Sequence, residues 1–492
     1  MKKDLMDCER EILELYLNQD LFNHKQYFNY LVHQAIDEGS WEIDTNGRRN
    51  SKGIELIVRP ECNQKCEYCY IARHGNTLYP HAERVDKETI VKNIDIILTY
   101  VFDTKQYYAN HWELFAGDMF YDDIYFDILD VFYKHLVPYQ KKYPQIFKYN
   151  EGLILTPTNF SFIDDDAKAA RVEEYIRKFR EDLNWEIGFS ISTDGKYAVD
   201  TREQRPVDDA HFEKLFQWTL KYPRGGFHPI LSASNIKNAI QNYDWWKAKY
   251  AEYYPEGISE GNFLPYWLEA RNDEWTDESI KDFLNLITYM LNDRFKMCGN
   301  DVDELARHIF GAECSVHRPI HLDLLCIDQV GGDRVSHGTS GCSLSGLVCI
   351  NTANFAIVPC HRLNYRQFRG GYFVVEDGAI TGVEPFNVSG YLSLVTAPAD
   401  SVPDCAFCKF NVVCHKGCAG AQFESSGEPF LTCQSVCNLI RAWFTHLLVL
   451  YDEMGVLESG RRQNLIPEHM TIVYDAILEE SERLKVWMRE MN

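Results

Sequence analysis

Between residues 54 and 292, short apolar runs alternate six times with longer amphipathic stretches, and this alternation limits the fold more than any other feature. The runs Ile54 to Val58, Trp112 to Phe115, Gly152 to Thr156, Ile187 to Ser192, Phe227 to Ser232 and Phe263 to Glu269 read as strands. Helix patterns follow from residue 85 and at 121–139, 165–181, 208–221, 237–252 and 276–292, with Asp86 placed to cap the first. Consecutive strand–helix units build a parallel sheet with helices outside it. Six of them predict an α/β fold, a partial (β/α)6 barrel of the TIM type, whose site lies at the C-terminal strand ends.

The flanks differ from this middle. Residues 1–50 read as a helical extension, and the barrel pattern covers 51–305. A bridging segment, 306–341, leads to a Cys- and Gly-rich region at 342–440, and 441–492 return to helix. Ten of the sixteen cysteines lie from Cys326 to Cys437.

Composition narrows the classes of function. With 29 Tyr, 28 Phe and 10 Trp, the chain is unlike an aromatic-poor disordered protein. A formal net charge of −23 repels phosphate backbones, so nucleic acid is not an expected partner, whereas a basic peptide is compatible. The first residues lack the apolar core of a signal peptide, and no apolar run approaches the ~20 residues of a membrane span. The expectation is a cytoplasmic protein with no membrane partner and reduced thiols, in which clustered cysteines serve as metal ligands rather than disulfides.

The first cluster is Cys62-Asn63-Gln64-Lys65-Cys66-Glu67-Tyr68-Cys69, spaced C-x3-C-x2-C, directly after the first strand. Three thiolates can hold three irons of a [4Fe–4S] cube and leave the fourth open, whereas closed clusters use four cysteines. A zinc site completed by His74 or His81 is the competing use. The spacing, with an aromatic residue, Tyr68, before the third cysteine, resembles the radical S-adenosylmethionine superfamily. That resemblance implies that the open iron binds S-adenosylmethionine and that its reductive cleavage yields a 5′-deoxyadenosyl radical.

Further elements match the superfamily in order. Ala116-Gly117-Asp118-Met119 stands where relatives carry Gly-Gly-Glu-Pro, so Gly117 and Asp118 take the place that meets the methionine amino group. Thr158-Asn159 resembles the Thr-Asn pair after the third strand. The segment from Ser190 through Ser192 to Asp194-Gly195 resembles the Ser-x-Asp-Gly stretch that approaches the nucleoside. Arg205, with Arg202 and Lys214 as alternatives, is expected to neutralise the methionine carboxylate.

The C-terminal cysteines read Cys342-x6-Cys349-x10-Cys360, then Cys405-x2-Cys408-x5-Cys414-x3-Cys418-x14-Cys433-x3-Cys437. This pattern resembles the SPASM domain of peptide-modifying radical enzymes, although Phe355 replaces the usual glycine before the third cysteine. The resemblance implies two auxiliary [4Fe–4S] clusters, making three in all. One would use Cys342, Cys349, Cys360 and Cys418, and the other Cys405, Cys408, Cys414 and Cys433, with Cys437 as the alternative last ligand. A Cys-rich zinc knuckle is the competing structure. Cys8, Cys298, Cys314 and Cys326 have no motif partners and read as free thiols.

Relatives of this type mostly modify peptides and proteins. The implied function is a maturase that abstracts hydrogen from a residue of a ribosomally made precursor peptide and forms a thioether or carbon–carbon bond. A flavodoxin- or ferredoxin-type partner would supply the electron. Residue oxidation, epimerisation, and a non-catalytic iron–sulfur or zinc protein are the alternatives. Sulfatase-maturing relatives carry an aspartate after the third auxiliary cysteine, and here His361-Arg362 follows Cys360, so His361 is the candidate base. Glu269, at the end of the sixth strand, is a candidate for orienting substrate or nucleoside. Residues 1–50 are too short for a full leader-binding domain, which leaves that task to a separate protein or to the helical ends.

Overall fold

The computed structural model describes residues 5–17, 53–105, 108–115, 117–197, 209–254, 267–268, 275–310, 347–395, 405, 407–410 and 418–490. An N-terminal helix, α1 (Leu5–Leu17), precedes strand β1 (Gly53–Ile57). Then come α2 (Tyr70–Leu78), α3 (Lys87–Leu98), β2 (His111–Phe115), α4 (Ile124–Lys142), α5 (Pro144–Tyr149), β3 (Gly152–Thr158), α6 (Asp166–Leu183) and β4 (Trp185–Ile191). The series continues with α7 (Asp209–Lys221), β5 (Gly225–Phe227), β6 (Ile230–Leu231), α8 (Ala239–Tyr253), β7 (Trp267–Leu268), α9 (Asp277–Met297) and α10 (Val302–Phe310). The C-terminal part holds β8 (Leu347–Asn351), β9 (Ala356–Val358), β10 (Gly371–Glu376), β11 (Ala379–Pro385) and α11 (Val388–Val395). Helices α12 (Ala419–Ser426), α13 (Gln434–Glu453), α14 (Val456–Arg462) and α15 (Glu468–Glu490) end the chain.

Nine of these strands form one sheet in the order β11-β10-β9-β8-β1-β2-β3-β4-β5. Strands β8, β1, β2, β3, β4 and β5 run parallel, and β9 to β11 extend the sheet as an antiparallel meander. One face is packed under helices. Ile54 and Leu56 of β1 and Trp112 and Leu114 of β2 share a core with Ile94 of α3 and Phe132 of α4. Trp112 meets Phe132 edge-on at 5.1 Å. The helices begin where expected: the Asp86 carboxylate accepts from the Thr89 N–H at 2.7 Å, capping α3.

The opposite face is only partly covered. Strand β3 alternates between buried and half-exposed residues along its length. The register aligns Cys349, Glu55, Glu113, Leu155 and Gly188 in one row of this face, so residues from five strands line a common cleft.

The structure departs from the sequence reading in three places. The fifth predicted strand, Phe227 to Ser232, is split: β5 joins the main sheet, while β6 pairs with β7 in a separate two-stranded sheet. Pro229 has no N–H to donate, and the Ile230 N–H goes to the Asp194 carboxylate at 2.9 Å, so the ladder stops there. The expected sixth strand is described only at Trp267 and Leu268, and among the described residues the main sheet does not close into a barrel.

The third departure is β8. The cysteine-rich region was expected to follow the barrel as an added domain, yet β8 pairs along β1 from Gly53↔Leu347 to Ile57↔Asn351 and continues the same sheet. Helical order also persists past residue 300, in α10 and α12. Helix α1 packs on the meander rather than on the parallel strands, with Arg10 Nε donating to the Val383 carbonyl at 3.2 Å and Leu13 buried. No helix among the described residues is long and apolar enough to cross a membrane.

One contact sets a packing limit. Gly152 of β3 lies beside the buried Trp185 of β4, and a Cβ at Gly152 would run into the indole. Gly152→Ala is expected to lower stability by about 1–3 kcal/mol through overpacking. A denaturation curve with an unchanged slope and an earlier midpoint is the expected result.

Candidate functional site

The loop after β1 is held by backbone contacts with the end of β2. The Gly117 N–H donates to the Arg59 carbonyl and the Asp118 N–H to the Glu61 carbonyl, each at 2.8 Å. A Cβ at Gly117 would run into the Pro60 and Glu61 carbonyls, so only glycine lets the two loops approach this closely. Within the loop the Cys69 N–H donates to the Cys66 carbonyl, and Cys69 is the residue that starts α2. Burial pushes the Cys62 thiol up to about 11, the Gln64 N–H pulls it back, and the nearby Asp118 and Cys69 push it further up. At neutral pH Cys62 is therefore a thiol unless a cation replaces its proton.

Side chains from β3 and β4 converge on this loop. Asn159 donates to the Asn63 side chain at 2.5 Å. The Tyr68 hydroxyl donates to Asp194 Oδ2 at 3.0 Å, and Asp194 is buried beyond the end of β4. Asn242 of α8 donates to the Asp194 carbonyl, next to Gly195 at φ 97°, a value that favours glycine. Ser190 and His228 share a hydrogen bond of 2.9 Å on the cleft face. The Ser192 N–H donates to the Thr158 carbonyl.

Asp118 is occupied from within the protein. It is 1% exposed and accepts from the Phe120 N–H at 2.8 Å, the Thr158 hydroxyl at 3.0 Å and the Asn159 N–H at 3.1 Å. Burial raises its pKa despite these donors. Asp118 and Thr158 thus brace the ends of β2 and β3 against each other. Lys214 is paired with Asp164 at 3.3 Å. Arg202, Arg205 and Glu269 lie outside the described residues.

A second group sits lower in the same cleft, where Cys349 and His361, both singled out in the sequence, meet Glu55, which was not. Glu55, 1% exposed in the middle of β1, accepts from the Cys349 thiol at 2.8 Å and the His361 N–H at 2.9 Å. Its Oε2 lies 2.9 Å from His361 Nδ1. Burial pushes the Glu55 carboxyl up, but His361, through its charge and its hydrogen bonds, and the Cys349 thiol outweigh burial and hold it below the ordinary range. Burial and the Glu55 carboxylate push Cys349 well up. The His361 ring stacks on Phe115 at 3.6 Å and 5°, and lies 5.8 Å from the Tyr70 ring. A glutamate inside an apolar strand run carries no sequence mark of this role.

Cys360 immediately precedes His361, and Cys418 receives an N–H from Arg362 at 3.7 Å. The Cys349 and Cys360 thiols are close enough to perturb each other. Cys408 and Cys433 likewise both act on the Cys437 thiol, with Cys433 opening α13. Cys405 is buried, its N-terminal neighbours and Cys342 and Cys414 lying outside the described residues. Among the described residues no three His, Cys, Asp or Glu side chains close around a single ion-sized point. The donor set is nonetheless thiol-rich in each group, which suits iron–sulfur clusters, whose several metal atoms spread their thiolate ligands.

No protein-family model and no curated protein sequence matches the chain. A search of solved structures finds similarity to a polyhistidine-tagged protein described as anSMEcpe with bound AdoMet, at a TM-score of 0.48 and 14% identity, covering 86% of this chain and 98% of that one.

The Glu55 network has a pH signature. Because its folded pKa is lowered, its stabilisation is complete above the ordinary glutamate range and is lost as pH falls through the lowered value. Glu55→Gln is expected to cost about 1.5–3 kcal/mol at neutral pH, the worth of hydrogen bonds to a charged group. The gap between wild type and variant narrows on acidification, which denaturant titrations at several pH values measure.

Proposed function

We propose that this chain is a radical S-adenosylmethionine enzyme of the SPASM type that modifies a residue of a ribosomally made peptide, forming a thioether or carbon–carbon bond. The observation that carries the reading is the convergence of the β2, β3 and β4 ends on a three-cysteine loop, with a second thiol group lower in the same cleft. Cys62, Cys66 and Cys69 would hold the first cluster. Cys342, Cys349, Cys360 and Cys418 would hold one auxiliary cluster, and Cys405, Cys408, Cys414 and Cys433 the other. When bound, the first cluster and S-adenosylmethionine supply a 5′-deoxyadenosyl radical able to take a hydrogen atom from an unactivated carbon.

The chain's own residues then have distinct tasks. Gly117 admits the cysteine loop against β2, and Asp118 with Thr158 fixes the strand ends that frame the cofactor. Tyr68, tied to Asp194, sets the loop's position over β4. Ser190, Ser192 and Asn159 line the nucleoside side, and Arg205 is the expected partner of the methionine carboxylate. In its neutral form His361 would donate Nδ1–H to Glu55, which leaves Nε2 to take the proton a substrate residue loses after hydrogen abstraction. The peptide would lie along the cleft face, where Glu113 and Phe115 are half-exposed. A flavodoxin or ferredoxin in the cytoplasm is the electron source in this reading.

Anaerobic reconstitution of the full chain is expected to give about twelve irons and little zinc, and the reduced protein to release 5′-deoxyadenosine from S-adenosylmethionine. Cys66→Ala should lose about four irons and all of that product. A Cys66→Ala protein that still makes 5′-deoxyadenosine would sink the assignment. Zinc in place of the auxiliary irons would remove the SPASM part and the peptide inference with it.

A further inference from the structure

Arg362 lies in the short 3₁₀ turn that follows Cys360, and its side chain is 9% exposed. Its guanidinium faces, among other groups, a carboxylate, a sulfur and an aromatic ring. Nε and Nη2 donate to Glu424 Oε1 and Oε2 at 2.8 and 2.6 Å, a bidentate pair with a carboxylate that is wholly buried. Nη1 donates to the Cys418 sulfur at 3.7 Å. The cation also lies 5.6 Å from the centre of the Tyr70 ring, and Tyr70 follows Cys69 directly in the chain. Its stem runs along Gly420, where a Cβ would collide with it.

This arrangement is poorly explained by stability. Buried ion pairs are often replaced by apolar residues at no cost, because desolvation cancels most of the attraction. What the pair achieves is direction: Glu424 clamps the Nε–Nη2 edge of the fork, so that Nη1 is turned to one sulfur. A thiol sulfur is a weak acceptor, and a buried cation aimed at it gains little. A thiolate makes the same contact a charge-assisted hydrogen bond.

We propose that Arg362, aimed by Glu424, is a positioning residue that sets the reduction potential of the cluster ligated through Cys418. The inference rests on the reading of Cys418 as an auxiliary-cluster ligand. One electron enters from the reductant and no covalent bond forms or breaks. The added negative charge falls partly on the ligand sulfurs, so the Arg362 N–H···S bond is stronger in the reduced form and favours it. Hydrogen bonds to cluster sulfurs and nearby net charge are established levers on potential. Arg362 therefore raises the potential of this one cluster, and Glu424 moderates the effect by balancing the charge.

The test is a potentiometric titration, followed by electron paramagnetic resonance, of the reconstituted full chain as wild type, Arg362→Gln and Glu424→Gln, with iron measured on each. Arg362→Gln is expected to move the midpoint of one auxiliary cluster to a more negative value. Glu424→Gln is expected to move the same midpoint to a more positive one, and the other two clusters should stay in place. A merely structural pair would not shift one potential in opposite directions. Full iron with unmoved midpoints in both variants overturns the inference. If Arg362→Gln does not retain its iron, Glu424→Gln decides alone, and an unmoved midpoint there overturns it equally. Wild-type protein holding only about four irons overturns the reading of Cys418 itself, an outcome distinguished by the absence of any auxiliary signal to titrate.

Discussion

Strand β1 is hydrogen-bonded along both edges, to β2 on one side and β8 on the other, and the rest of the molecule is arranged around that double pairing. Every residue of β1 is buried, as a strand in the middle of a parallel sheet requires. Its C-terminal end releases the Cys62–Cys69 loop, and its middle carries a carboxylate into the cleft. Because Glu55 is level with Cys349 on β8 and Glu113 on β2, a single strand fixes the spacing between the two thiol groups. A carboxylate so placed must be satisfied by hydrogen bonds or it would be costly. Both His361 contacts do this, joined by the Cys349 thiol while that sulfur keeps its proton, and they tie the turn after β9 to the middle of β1.

The upper part of the cleft is tied by a different set of bonds. Asp194 joins three segments at once: the cysteine loop through Tyr68, the start of β6 through the Ile230 N–H, and α8 through Asn242. The break between β5 and β6 is thus the other face of the contact that holds Tyr68. A regular fifth strand would have kept the Ile230 N–H for a ladder bond and left Asp194 one donor short.

Most of the parallel core was legible in the sequence because its signals are local. Strand runs, helix periods and the Asp86 cap are patterns within a dozen residues, and the observed elements begin and end close to them. What was not legible depends on distant partners. Nothing near Leu347 announces that it pairs with Gly53, and nothing in Gly-Ile-Glu-Leu-Ile shows that the glutamate has a thiol and an imidazole waiting for it. Asp118 illustrates the reverse. Its position matched a motif, but its short side chain is satisfied by Thr158, Asn159 and Phe120, which makes it a brace between strand ends. The grouping of Cys62, Cys66 and Cys69 in one loop was readable from spacing, whereas the contacts of Arg362 with Glu424 and Cys418 join segments 62 and 56 positions apart and left no local mark.

The pairing of β1 with β8 also bears on the order in which the molecule is made. Glu55 and Cys349 are separated by 294 positions, so during synthesis one edge of β1 waits for most of the chain. Contacts of such separation form late, after the entropy of closing a long loop has been overcome. Helices α3 and α4 and strands β2 to β4 can assemble around β1 well before that, leaving a half-built sheet with an open edge and a buried carboxylate without its partners. Such an edge is a place where other strands can add. In this chain, then, the cysteine loop is born early but its floor arrives last, and completion of the C-terminal third is what turns the early sheet into a finished cleft.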